Sequence, residues 1–122
     1  MLEVSQSASI SRTYNSSDLG AFSHLTGEKV DGSVPEPLIA ALFSYLLGVK
    51  LPGRGTNYLK QSLNFIKPAP LDQELTARVT ITELRAEKHL VDLRTECLDA
   101  SGKMICDGRA LVLAKDVSNA FE

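Results

Sequence analysis

Residues 35–48, which read PEPLIAALFSYLLG, decide the fold. Pro35 and Pro37 suit the first turn of a helix, where a missing amide hydrogen costs little, and Glu36 stands at the positive end of the helix dipole. Leu38, Ile39, Ala40, Ala41, Leu42, Phe43, Tyr45, Leu46 and Leu47 then make the helix apolar on nearly all sides until Gly48. A helix with no polar face is expected to be enclosed by other elements. The nearly apolar stretch 37–49 has thirteen residues, fewer than the roughly 20 that a bilayer requires. It reads as a buried helix, with no membrane partner.

Outward from this helix the pattern changes. Four strand candidates follow it, over residues 57–66, 74–83, 89–99 and 104–115. Between them lie breaks rich in turn residues, such as Pro68 to Asp72 and Asp99 to Gly102. Leu75, Ala77, Val79 and Ile81 alternate with Thr76, Arg78, Thr80 and Thr82, so one face of that strand is buried and the other is not. Before the helix, residues 3–14 alternate loosely and suit an edge strand. A short helix over 17–25 follows, with N-cap oxygens on Asn15, Ser16 and Ser17 and one buried face expected from Leu19, Phe22 and Leu25. The short turns predict an antiparallel meander. One strand, two helices and four strands leave the apolar helix a single place to hide, the concave face of a curled five-stranded antiparallel sheet. The expected class is α+β with the hot-dog arrangement. Such a sheet leaves open edges, and pairing into a homodimer is the natural remedy.

Composition narrows the functional classes. A chain of 122 residues is expected to form one domain over 1–122, and 43% apolar with 23% charged residues is an ordinary globular mixture. Thirteen basic against fifteen acidic residues, with no long run of either, argue against a nucleic-acid partner. The start of the chain has neither a basic region nor an apolar signal core, so the expected compartment is the cytoplasm. There, Cys97 and Cys106 are expected to be free thiols, and no close metal-ligand spacing is visible.

Residues 41–65, ALFSYLLGVKLPGRGTNYLKQSLNF, resemble the MaoC-like (R)-specific enoyl-CoA hydratases. The likeness continues through Pro68, the LDQEL run at 71–75 and the terminal strands. It implies a hot-dog fold, a dimer, a thioester of coenzyme A or acyl carrier protein as substrate with no other cofactor, and syn addition of water across a trans-2 double bond. The family works through a loop reading Gly-Asp-x-Asn-Pro-x-His and, later, a His-Gly at the start of the central helix. Position by position, Glu28 falls on the loop Asp, Val30 on the Asn, Asp31 on the Pro and Ser33 on the His, while Pro35 and Glu36 take the His-Gly pair. The segment that separates loop from helix in the family is missing. With it should go the stretch that overhangs the acyl pocket and the Asp-His pair that activates water.

Hydration needs a base for water and an acid for the α-carbon, beside a thioester carbonyl polarised by a helix-terminal amide. Glu28 is the candidate that the resemblance supplies for a hydratase, and Glu36 the one for a hot-dog thioesterase, in which a single carboxylate near the central helix suffices. A third reading is an acyl-thioester binder that has lost its chemistry. Pro37 offers no amide hydrogen, which leaves the amides of Glu36 and Leu38 for the carbonyl. Ser33 stands beside them. In the family, the loop containing Arg54 and Gly55 and the strand after it border the coenzyme A channel, so Arg54, Lys60 and Lys67 are candidates for its phosphates. Neither His24 nor His89 occupies a motif position.

Overall fold

The computed structural model describes residues 1–30 and 32–121. Asp31, aligned above with the family's loop proline, lies outside the described residues. Strand β1 (Ser7–Thr13), helix α1 (Ser16–Thr26), helix α2 (Glu36–Tyr45) and strands β2 (Asn57–Phe65), β3 (Glu74–Arg85), β4 (Leu90–Leu98) and β5 (Met104–Leu113) follow in that order. The strands form one antiparallel sheet in the order β1-β3-β4-β5-β2. It curls around α2, which is the hot-dog arrangement read from the apolar helix.

The strands are not one continuous meander. β3, β4 and β5 follow each other across the sheet, but β2 pairs with β5 and forms the edge opposite β1. Pro68 and Pro70 lack amide hydrogens and hold the connection after β2 extended, so it crosses the end of the sheet instead of turning into a hairpin. Its far end is pinned where β1 stops, by the Asp72 amide donating to the Tyr14 carbonyl at 2.7 Å. β1 itself begins later than the alternation suggests, because Ser5 adopts a left-handed φ of 78° that interrupts the extended run.

In α1 the expected cap is present. Asn15 Oδ1 accepts from the Asp18 amide at 3.1 Å and Asp18 Oδ2 accepts from the Asn15 amide at 2.9 Å, while Gly27 closes the helix at φ 76°. The buried face is narrower than expected, since Leu19 is buried but Leu25 is 83% exposed. A three-residue spacing does not follow the helical period. Six residues rotate Leu25 about 120° away from Leu19.

Helix α2 continues through a π turn over Leu46–Lys50. Ile39, Leu42, Phe43, Leu46 and Leu47 are buried against the inner face of the sheet, where Leu75, Ala77, Val79, Ile81, Val91 and Leu93 meet them. Enclosure is incomplete. Ala41, Ser44, Tyr45 and Val49 remain exposed, because a five-stranded sheet wraps only one side of a helix.

Candidate functional site

At the N-terminus of α2 the chain forms a hollow of about 280 Å³. One wall is Ser33, Val34 and the first turn of the helix, Glu36 and Ile39, and the other is the end of β2 and the connection after it, Phe65 to Ala69. The walls are joined where the Val34 amide donates to the Ala69 carbonyl at 2.9 Å, the one bridge outside the named strands among the described residues. Val34, Ile39 and Phe65 form its apolar part, polar groups make up the rest, and Glu36 is the carboxylate among its lining residues. This is the composition of a site for a short apolar group with a polar, reactive end.

The backbone at the helix start leaves one amide without a partner. Leu38 donates to the Pro35 carbonyl at 3.0 Å, so its amide is occupied, and Pro37 has none. Among the described residues the Glu36 amide has no acceptor. Glu36, an exposed residue at the rim of the hollow, therefore carries both a carboxylate and an amide without an acceptor, at the positive end of a ten-residue helix.

Lys67 forms part of the opposite wall, with its charge already held. Its Nζ donates to Asp99 Oδ2 at 2.5 Å, and Asp99 Oδ1 accepts from the amides of Ser101 and Lys103, both at 2.9 Å. The Lys67 bond, then the Lys103 amide, hold the Asp99 carboxyl down at about 2 from its ordinary 3.8. A depressed carboxyl stabilises the fold above its unfolded value, and that stability is lost as pH falls from about 4 to about 2. Asp99→Asn keeps an acceptor for the two amides but removes the charge. Urea melts between pH 5 and pH 2, taken as about the range of these values, are expected to lose part of their acid slope in this variant. Equal slopes would show that the pair contributes nothing.

The other candidates lie elsewhere. Glu28 is exposed just past the α1 cap, its amide donating to Thr26 Oγ1 at 3.1 Å, and it does not line the hollow. Arg54 and Gly55 are exposed in the loop before β2, and Lys60 points from the outer face of the sheet. Gly55 has a local reason for being glycine, since a Cβ there would lie 2.3 Å from the Asp116 carbonyl oxygen. His24 is exposed on α1, and His89 packs edge-on against Phe121. Cys106 lies near Glu36, and burial, followed by the charges of Asp107 and Glu36, pushes its thiol up to about 11. It is a protonated core residue and no nucleophile.

A chain with this fold and a carboxylate at the start of its central helix has clear relatives. It is 35% identical to an (R)-specific enoyl-CoA hydratase of Aeromonas caviae, over 91% of this chain and 94% of the relative. The chain belongs to the (R)-specific enoyl-CoA hydratase family. A second such hydratase, from Rhodospirillum rubrum, is also 35% identical, over 92% of this chain and 88% of its own. A solved (R)-hydratase from A. caviae superposes with a TM-score of 0.85 at 35% identity, covering 91% of this chain and 96% of that one. No family model matches the chain. A Streptococcus pneumoniae protein described as a hypothetical thioesterase with coenzyme A shares the fold alone, at 16% identity and a TM-score of 0.67 over 89% of this chain and 78% of its own.

Against the loop pattern of the hydratase family, Ser33 and Glu36 meet in the hollow and Glu28 does not. Sequence reasoning offers Lys67 only as a contact for carrier phosphates. Its pairing with Asp99, 32 residues away, has no local signal.

Proposed function

We propose that this member of the family adds water to short trans-2-enoyl thioesters through Glu36 alone, more slowly than enzymes with an Asp-His pair. The reading rests on one observation, that Glu36, a lining residue of the hollow, carries both a carboxylate and an amide with no acceptor among the described residues. The acyl chain lies along Val34, Ile39 and Phe65, and the thioester carbonyl accepts from the Glu36 amide. Glu36 takes a proton from water as the oxygen bonds to C3, and the enolate oxygen is held by the amide. The same carboxyl then returns the proton to C2, so one group acts as base and acid on one face of the double bond. No cofactor enters the scheme beyond the coenzyme A or acyl carrier thioester.

A lone carboxylate also favours a second reading, hydrolysis of the thioester. One experiment separates the two. Short trans-2-enoyl and saturated acyl-CoAs are supplied in parallel while hydrated product, free thiol and binding heat are recorded. Hydrated product from the unsaturated series, with saturated thioesters spared, is the expected result. Thiol release from saturated substrates would replace the proposal by a thioesterase, and heat without product would leave a binder.

The proposed active form is a homodimer in the cytoplasm. β2 is an open edge carrying Leu59 at 50% exposure, with Ile66 at 54% just past its end. Apolar residues on a strand edge favour a partner. Sedimentation at micromolar concentration should give about twice the 13.2 kDa of one chain, and a stable monomer would rule the dimer out.

A further inference from the structure

On the outer face of the sheet, away from α2, a second hollow of about 340 Å³ is lined by Lys60 and Ser62 of β2, Arg109 and Leu111 of β5 and Arg85 at the end of β3. Beneath it lies Asp92, a carboxylate that is only 1% exposed. Register explains the arrangement. Lys60 pairs with Leu111 and Leu111 with Asp92, so these three side chains form one rung across the sheet, and Ser62 and Arg109 form the next.

We infer that this hollow binds a phosphomonoester. A buried carboxylate is costly unless paired, and Asp92 is paired on both sides. Its Oδ1 accepts from Nε and Nη2 of Arg109, and its Oδ2 lies 3.0 Å from Nη2 of Arg85. Each guanidinium has five N–H donors, so several on each remain free, and the two bonds from Arg109 hold its plane in place. Ordinary surface arginines lose side-chain freedom when they bind, and Arg109 has already given up part of it.

The charges and shape suit a phosphate. Lys60, Arg85 and Arg109 line the hollow, and Arg94 stands directly across from Arg109 on β4. Asp92, Glu83 and Glu96 oppose them, with the exposed Glu83 at 3.6 Å from Arg85 and Glu96 at 4.0 Å from Arg94, which leaves four cations against three acids. The excess is positive, as a group carrying about −1.5 to −2 charges at neutral pH requires. Its three terminal oxygens can meet donors from three strands, two guanidinium forks and an ammonium, with the Ser62 hydroxyl beside them. A planar carboxylate would use only one fork.

The phosphate could belong to the thioester carrier or to a separate metabolite. Either way the site is on the opposite sheet face from Glu36, and its occupancy does not depend on the hydratase reading. The test titrates the intact protein with inorganic phosphate, coenzyme A and 3′-dephospho-coenzyme A in about 0.15 M salt, following heat and amide and arginine Nε NMR shifts. Saturable phosphate binding is expected, with shifts centred on Ser62, Arg85 and Arg109. Lys60→Gln and Arg109→Gln should each weaken it about tenfold or more. Lys60 makes no bond to Asp92, so its variant remains informative if Arg109→Gln disturbs folding. Displacement of phosphate by coenzyme A but not by its dephospho form would assign the site to the carrier, and failure of both to displace it would assign it to a free phosphomonoester. Binding that is absent at millimolar phosphate, unchanged in Lys60→Gln, or mapped elsewhere by the shifts would overturn the inference.

Discussion

Glu36→Gln is expected to lower kcat for enoyl-thioester hydration by about 10² to 10⁴ while KM changes little. The amide side chain keeps the size and position of the carboxylate but cannot take a proton from water. The backbone N–H proposed to hold the thioester carbonyl is untouched, so substrate should still bind. A loss confined to kcat amounts to about 3–5 kcal/mol of transition-state stabilisation at 1.36 kcal/mol per decade. The competing role of Glu36 is structural, a first-turn acid that stabilises α2 by about 0.3–1 kcal/mol. That role predicts a small fall in melting temperature and unchanged turnover, so measuring both decides between them. Glu28→Gln serves as the companion variant. Glu28 is exposed and does not line the hollow, so its turnover should stay near that of the unsubstituted protein, and a loss there as deep as that of Glu36→Gln would sink the one-carboxylate mechanism.

The second large effect concerns Gly108, in β5 opposite Leu63 of β2. A Cβ at this position would lie 2.0 Å from the Ser62 carbonyl oxygen and 3.0 Å from the Leu63 Cα. Both obstacles are backbone, so no side-chain rotation relieves them, and Gly108→Ala must lift β2 from β5. Overpacking of this kind costs about 1–3 kcal/mol, and here it also loosens ladder hydrogen bonds. The urea midpoint should fall accordingly. Activity should fall as well, because β2 carries Phe65 into the hollow. Gly20→Ala gives the opposite expectation from the same substitution. Gly20 lies within α1 with nothing within 4 Å of its Cβ position, and alanine there should stabilise by about 0.5–1 kcal/mol. If Gly108→Ala melted no lower than the unsubstituted protein, the close approach of β2 would not be a constraint.

Much of the fold was legible in local pattern. The alternation of Leu75, Ala77, Val79 and Ile81 placed the inner face correctly, and the strand limits differ from the pattern by few residues in β2 to β5. Asn15, Asp18 and Gly27 marked both ends of α1 through bonds that span four residues or fewer. The family was legible in residues 41–65, where the apolar helix and the strand after it are continuous in sequence. Errors occurred where a distant partner decides. Nothing local in Pro68 or Pro70 says that β2 joins β5, and the three-residue spacing of Leu19, Phe22 and Leu25 suggests a buried face from which Leu25 is turned away.

The candidate site divides in the same way. The sequence by itself determined that Glu36 opens the apolar helix, that Pro37 lacks an amide hydrogen, and that no histidine stands in either motif position, because these follow from residue identity and the helix dipole. Only the tertiary structure decided that Glu36, and not Glu28, lines the hollow, that the Leu38 amide is occupied, and that Lys67 is held by Asp99. Likewise Asp92 reads as a polar residue within a strand, and only the placing of β4 between β3 and β5 brings Arg85 and Arg109 to it. The physical reason is common to all of these. Charge, capping and periodicity act over one or two turns of chain, whereas a cavity wall or a buried ion pair is assembled from strands that are neighbours in the sheet and far apart in sequence.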